Sequence, residues 1–184
     1  MFSVKIDQNA IDRAKLLLSQ IPKGAETALS RAINRTIQSA RTEIVKVVRE
    51  RYTLKSSEIR NSFTIVKANK DTLTGEIRSK GSRLNAARFS HKPGGDTTGN
   101  KRQPVTVAFT KGKRFKVDRG FVYQGNIYKR QGKARLPISP MLGPSIPHLI
   151  GNQENIEKIE SNMTETFNKR LNHELEVVLK GFDK

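Results

Sequence analysis

From Ala25 to Val48 small and apolar residues recur every three or four positions: Ala25, Ala28, Leu29, Ala32, Ile33, Thr36, Ile37, Ala40, Ile44, Val47 and Val48. That period predicts a helix with one buried stripe, running to about Tyr52. The small residues on the stripe, at 25, 28, 32 and 40, allow another backbone to come close. Arg31, Arg35, Arg41, Lys46 and Arg49 fall largely off it and read as a solvated or partner-facing side. A second stripe, Ile156, Ile159, Met163, Phe167, Leu171, Leu175 and Val178, predicts an amphipathic helix of about 28 residues that starts after Gly151-Asn152 and ends at Gly181. Its polar face is mixed and slightly acidic, so it suits packing on the domain. Glu157, Glu160, Glu174 and Glu176 read as solvated.

Between these helices the pattern changes to strands and turns. Phe2, Val4 and Ile6 alternate with polar residues and predict a short strand over 2–7. Asp7 or Asn9 can cap a helix running to about Ile21, and Pro22-Lys23-Gly24 breaks it. Thr53 can cap a short helix over 54–59, with Ser56 and Ser57 as competing starts. Residues 63–68 and 73–78 flank Asn69-Lys70-Asp71 as a β-hairpin, and 84–89 is a short turn or helix. Residues 90–104 contain no aliphatic side chain, which predicts a mobile loop that a partner would have to order. Val105 to Phe109 alternates, 110–114 turns the chain, and Phe115, Val117, Phe121 and Val122 mark the return. The tip of that hairpin concentrates Lys111, Lys113, Arg114 and Lys116. Such a tip suits contact with a phosphate backbone, or is simply a soluble turn.

Residues 129–147 combine turn and proline chemistry. After a strand end at Asn126-Ile127-Tyr128, Gln131-Gly132-Lys133 reads as a turn in which Gly132 is free to take a positive φ. Leu136 and Ile138 alternate around Pro137, which lacks a ladder donor and so predicts an edge strand or a strand end. Gly143-Pro144-Ser145-Ile146-Pro147 then reads as stiff and exposed. The segment serves either as a rigid linker to the last helix or as a docking loop against another subunit.

Charge narrows the partners. The 184 residues carry a net +18, of which 53–150 holds +15 while 151–184 is net −2. A middle that positive calls for a polyanion or an acidic protein surface. Cysteine is absent, so there is no disulfide framework to argue for secretion. The N-terminus lacks the apolar run of a signal peptide, and no window suits a membrane span. His91, His148 and His173 are scattered without a second ligand at metal spacing, and no phosphate cradle or nucleophile motif occurs. The expectation is a non-enzyme without a cofactor or metal.

The ordered features resemble the prophage minor tail protein Z family of phage tail-completion proteins. The likeness is carried by Ala32-Ile33-Asn34-Arg35 and Ala40-Arg41-Thr42-Glu43 on the long helix, then Tyr52, Leu54-Lys55 and Ile59. Val105-Thr106-Val107, Lys111-Gly112 and Phe121 follow. Its most specific pieces are Arg130-Gln131-Gly132-Lys133, Arg135-Leu136-Pro137-Ile138 and Gly143-Pro144-Ser145-Ile146-Pro147, with Phe167, Leu171, Glu174-Leu175 and Leu179 closing the chain.

The resemblance implies a single α+β domain over 1–184 of the tail-completion type: long N-terminal helices, antiparallel hairpins forming a small sheet, and a long C-terminal helix. It implies a structural protein of the virion neck, assembled in the host cytoplasm. There it forms a six-membered ring around the DNA channel, between the tail terminator and the head connector. On that reading Arg130, Gly132, Lys133, Arg135, Pro137, Gly143, Pro144, Ser145 and Pro147 are the subunit-docking candidates. Lys111, Lys113, Arg114, Lys116, Lys101 and Arg102 are the candidates to face double-stranded DNA, independently of its sequence. The competing reading is a cellular RNA- or ribosome-associated basic module, which fits the charge and the hairpin but not the 137–147 stretch or the two long helices. A small basic ribonuclease is a third, without an acid/base set to support it.

Overall fold

The alanine-rich stripe folds as the helix its period demands. In the computed structural model, which describes residues 2–3, 8–97 and 103–182, helix α2 spans Gly24–Arg51. Helix α1, Gln8–Leu17, precedes it, and the second stripe forms the 30-residue helix α5, Gln153–Phe182. The chain gathers into two compact units. The first takes Met1–Ile44, Phe63–Ser79 and Gln153–Lys184; the second takes Val45–Ser62 and Lys80–Asn152.

In the first unit α2 buries Ala28, Ala32, Ile33, Ile37, Ala40 and Ile44, and α5 buries Ile159, Met163, Phe167, Leu171 and Leu175. The two helices run antiparallel, because Arg35 of α2 meets Glu174 of α5 while Glu43 accepts a hydrogen bond from Asn162 at 2.8 Å. Glu174 corrects the sequence reading, since it is 1% exposed instead of solvated. Its Oε1 lies 2.9 Å from Arg35 Nε and its Oε2 3.9 Å from Arg31 Nη1. The first contact is close but not aligned as a hydrogen bond, so charge attraction holds this group more than directed bonding does.

A three-stranded antiparallel sheet completes this unit: β1, Phe2–Ser3; β2, Phe63–Val66; and β3, Glu76–Ser79, with β3 in the middle. The turn between β2 and β3 is built by Asn69, whose Oδ1 accepts from the backbone of Asp71 and Thr72 at 3.0 and 2.6 Å. Asn34 of α2 fastens the end of the β2 segment. Its amide donates to Ala68 O at 2.9 Å and accepts from Ala68 N at 2.8 Å, as a neighbouring strand would. Gly75 lets the other arm come down onto α2; a Cβ there would sit 2.1 Å from Ile37 Cδ1 and 2.9 Å from Ile33 Cγ2.

The second unit holds two three-stranded antiparallel sheets. One orders β4, Ser90–Lys92; β5, Thr106–Ala108; and β6, Phe115–Lys116. The other orders β7, Gly120–Tyr123; β8, Asn126–Arg130; and β9, Ile138–Pro140. The short helices are α3, Ser56–Asn61, a 3₁₀ turn at Ala86–Arg88, and α4, Ile146–Ile150. Gln124 and Gly125, with φ of 47° and 71°, form a two-residue turn whose left-handed pair matches the twist of β7 and β8.

Several expectations change here. Thr53 does not cap α3: its hydroxyl donates to Ala108 O and accepts from Ser90 N–H at 3.1 Å, joining β4 and β5 to the end of α2. Part of the stretch read as a mobile loop is a strand, because β4 needs only backbone ladder bonds to β5 and no aliphatic side chain. Thr97 is buried, bonded through both N–H and hydroxyl to the backbone of Val122 at 3.0 and 2.8 Å. The hairpin return is β6 alone, and 120–123 begins a new sheet.

Gly75→Ala is expected to destabilise the protein by about 1–3 kcal/mol, the usual cost of overpacking a core, read as a lower urea midpoint at unchanged slope. An unshifted midpoint would mean that the β3 arm does not rest on Ile33 and Ile37.

Candidate nucleic-acid and docking surfaces

The basic tip lies between β5 and β6. Its root is fixed: Lys111 N–H donates to Arg51 O at 2.8 Å, Tyr52 bridges Thr110, and Phe115 packs 5.2 Å from Phe109. Gly112 takes a φ of 77°, which turns the chain without a side-chain clash. Lys111, Lys113 and Lys116 are exposed. Arg114 behaves differently. Its guanidinium reaches back to Ser90 Oγ at 3.1 Å and Thr106 Oγ1 at 3.3 Å, so it staples β5 to β4. Lys101 and Arg102 lie outside the described residues.

The 129–147 segment splits into two parts of opposite character. From Lys133 to Ile138 every residue is exposed, with Leu136 at 66% and Ile138 at 39%. This tip joins β8 to β9 and is braced at its base. Gln131 N–H donates to Pro137 O at 3.2 Å, and Arg130 donates to the Arg135 carbonyl. Arg130 also lies 5.0 Å from the centre of the Phe121 ring, and Phe121 stacks on Tyr128 at 5.9 Å. Arg130 thus shapes the tip from behind, while Lys133, Arg135, Leu136 and Pro137 form its surface. Gly132 does not use a positive φ; among the described glycines Gly112 and Gly125 do.

The second part, which reads as a stiff and exposed linker or docking loop, is stitched in. Met141 N–H donates to Ile127 O and Gly143 N–H to Leu84 O, both at 2.8 Å. Gly143 is buried under an aromatic pair: a Cβ there would come within 2.6 Å of Phe109 and 3.0 Å of Phe89, whose rings meet edge-on at 4.9 Å. Ser145 caps α4, its hydroxyl accepting from His148 N–H at 3.4 Å, and Pro147 sits in the first turn, where a missing N–H costs nothing. Ile146 is buried, and Pro144 and Pro147 are half-buried. The two prolines and Ser145 therefore set where α4 begins.

No three His, Asp or Glu side chains gather as metal ligands among the described residues. No helix among them is long and apolar enough to cross a membrane.

The chain is mixed helix and sheet, with braced, exposed tips and a strongly basic middle. The chain belongs to the family described as Prophage minor tail protein Z (GPZ), whose model matches residues 4–183. It is a structural protein of the phage tail, and its place is the virion. No curated protein and no solved structure matches it.

Arg130→Ala is expected to loosen the tip without unfolding the protein. An exposed cation–π contact contributes about 0.5–1 kcal/mol, so the melting temperature should move little. Amide exchange over 131–138 should quicken severalfold. Unchanged exchange there would show that Arg130 does not brace the tip.

Proposed function

We propose that this chain completes the tail at the neck and joins it to the head connector, as a ring of six copies around the DNA channel. Its role is structural and non-catalytic, it uses no cofactor, and it assembles in the host cytoplasm. The observation that supports this most directly is the tip at 133–138. An exposed leucine between Lys133, Arg135 and a proline is held in one shape by Arg130 and Gln131. A rigid segment loses little conformational freedom on docking, so its apolar surface contributes to affinity with a small ordering cost. The tip docks on the neighbouring copy, and the ring contacts the tail terminator on one side and the head connector on the other. Arg130, Gly143, Pro144, Ser145 and Pro147 position that surface from within.

Lys111, Lys113 and Lys116 face double-stranded DNA in the channel. Contacts of this kind go to phosphates and carry no sequence information. Arg114, committed to Ser90 and Thr106, holds the hairpin in place.

Leu136→Asp tests the docking role. A surface substitution of this kind shifts stability by about 0.5 kcal/mol or less, so the purified variant should melt as the parent does. Virions made with it should lose infectivity by about tenfold or more, matching a docking loss of about 1.4 kcal/mol or greater. Intact tails at normal titre would refute the assignment. Changing Lys111, Lys113 and Lys116 to Gln should lower the salt slope of duplex binding by about one unit each. An unchanged slope would remove the tip from the DNA surface.

A further inference from the structure

A groove of about 400 Å³ opens on the first unit, lined by Asn34, Arg35, Gln38, Ser39, Lys67 and Arg170. Three cations converge there from three elements: Arg35 from α2, Lys67 from the segment after β2, and Arg170 from α5. No carboxylate lines the groove. Glu174, one turn beyond Arg170, is buried and already held between Arg31 and Arg35. Lys67 and Arg170 meet no carboxylate among the described residues. Arg35 already has Glu174 as its counter-charge, whereas Lys67 and Arg170 bring two positive charges to the groove with none, and a bound anion balances those two.

The groove is also held in shape. Asn34 commits its whole amide to Ala68, which fixes the backbone beside Lys67. The Arg35–Glu174 contact fixes α5 one turn from Arg170. The remaining polar groups, Gln38 and Ser39, are neutral side chains able to donate. Arg, Lys, Ser, Asn and Gln are the side chains that bind phosphate oxygens along a nucleic-acid backbone. An acidic protein segment would gain most of its affinity from an apolar or aromatic anchor in a pocket, and no aromatic or aliphatic side chain lines this groove.

We propose that this groove binds a phosphodiester segment of nucleic acid, with Lys67 and Arg170 as the principal contacts and Arg35 as a third. It is a second phosphate surface, on a different unit from the hairpin tip, and it does not depend on the neck reading.

The test is duplex binding by the purified full chain. A short fluorescent duplex of arbitrary sequence is titrated across a KCl series, followed by anisotropy. The variant K67Q/R170Q leaves Asn34, Arg35 and Glu174 in place and should keep the parent's melting temperature. Its salt slope should fall by about two units, one for each lost phosphate contact. The conservative K67R/R170K should restore most of the slope, since charge and not shape carries the contact. The same loss should appear in the background of the tip-lysine triple variant, which reads the two surfaces separately. A parental slope for K67Q/R170Q overturns the proposal. So does a variant that binds duplex normally but no longer binds poly-glutamate, because the groove then serves an acidic protein.

Discussion

One buried carboxylate organises the first unit. Glu174 leaves water only because Arg35 and Arg31 stand beside it, and a carboxylate buried without such partners would cost several kcal/mol. Both arginines are about half exposed, so solvent screens part of the attraction and the net stabilisation is modest. The contact acts more on geometry than on energy. Burial of the Phe167, Leu171 and Leu175 stripe sets the rotation of α5 about its axis, while the Arg35–Glu174 and Asn162–Glu43 contacts mark its register along α2. The alanines of α2, Ala28, Ala32 and Ala40, are buried in the same core. With α2 and α5 locked, the β2–β3 hairpin has a surface to rest on, and the residues around the basic groove stay in place.

The second unit is solved differently. Its strands are short, of two to five residues, and carry few long apolar runs. Side chains that imitate backbone carry much of its order. Asn85 donates to Ile127 O at 3.1 Å and accepts from Ile127 N at 2.9 Å, in the manner of Asn34 in the first unit. Thr53 bonds to β4 and β5, and Thr97 bonds to β7. Each satisfies backbone groups that would otherwise lack partners at a strand end. The scaffold that results leaves the 111–116 and 133–138 tips in solvent while their roots are bonded.

This division explains what the sequence could and could not reveal. The long helices α2 and α5 were legible because a stripe of three- and four-residue spacing is a local property of the chain, whereas the short α4 falls in a stretch that reads as a stiff linker or docking loop. The β2–β3 hairpin and the 105–116 hairpin were legible for the same reason, from alternation around turn residues. What escaped was non-local. Glu174 looks like any other helix glutamate until Arg35 arrives from 139 positions away in the chain. Arg114 looks like its three lysine neighbours, yet its guanidinium finds Ser90, which sequence distance hides. Arg130 is a subunit-docking candidate by sequence, and its contact with the Phe121 ring on β7 is not visible there. Strand β4 escapes because its segment has no aliphatic side chain to signal order, and its order comes from the β5 ladder. Proline marks stiffness but not location, so 143–147 read as exposed when Gly143 in fact lies beneath two phenylalanines.

Membership in the prophage minor tail protein Z family sets the setting, and the two tips set the proposed role within it. The most direct measurement is an image of the neck of purified virions at side-chain resolution. The account predicts a closed ring of this chain, with 133–138 of each copy seated on the next copy. It also predicts Lys111, Lys113 and Lys116 turned toward the DNA. Finding the chain elsewhere in the tail, or finding 111–116 packed against another protein away from the channel, would contradict it.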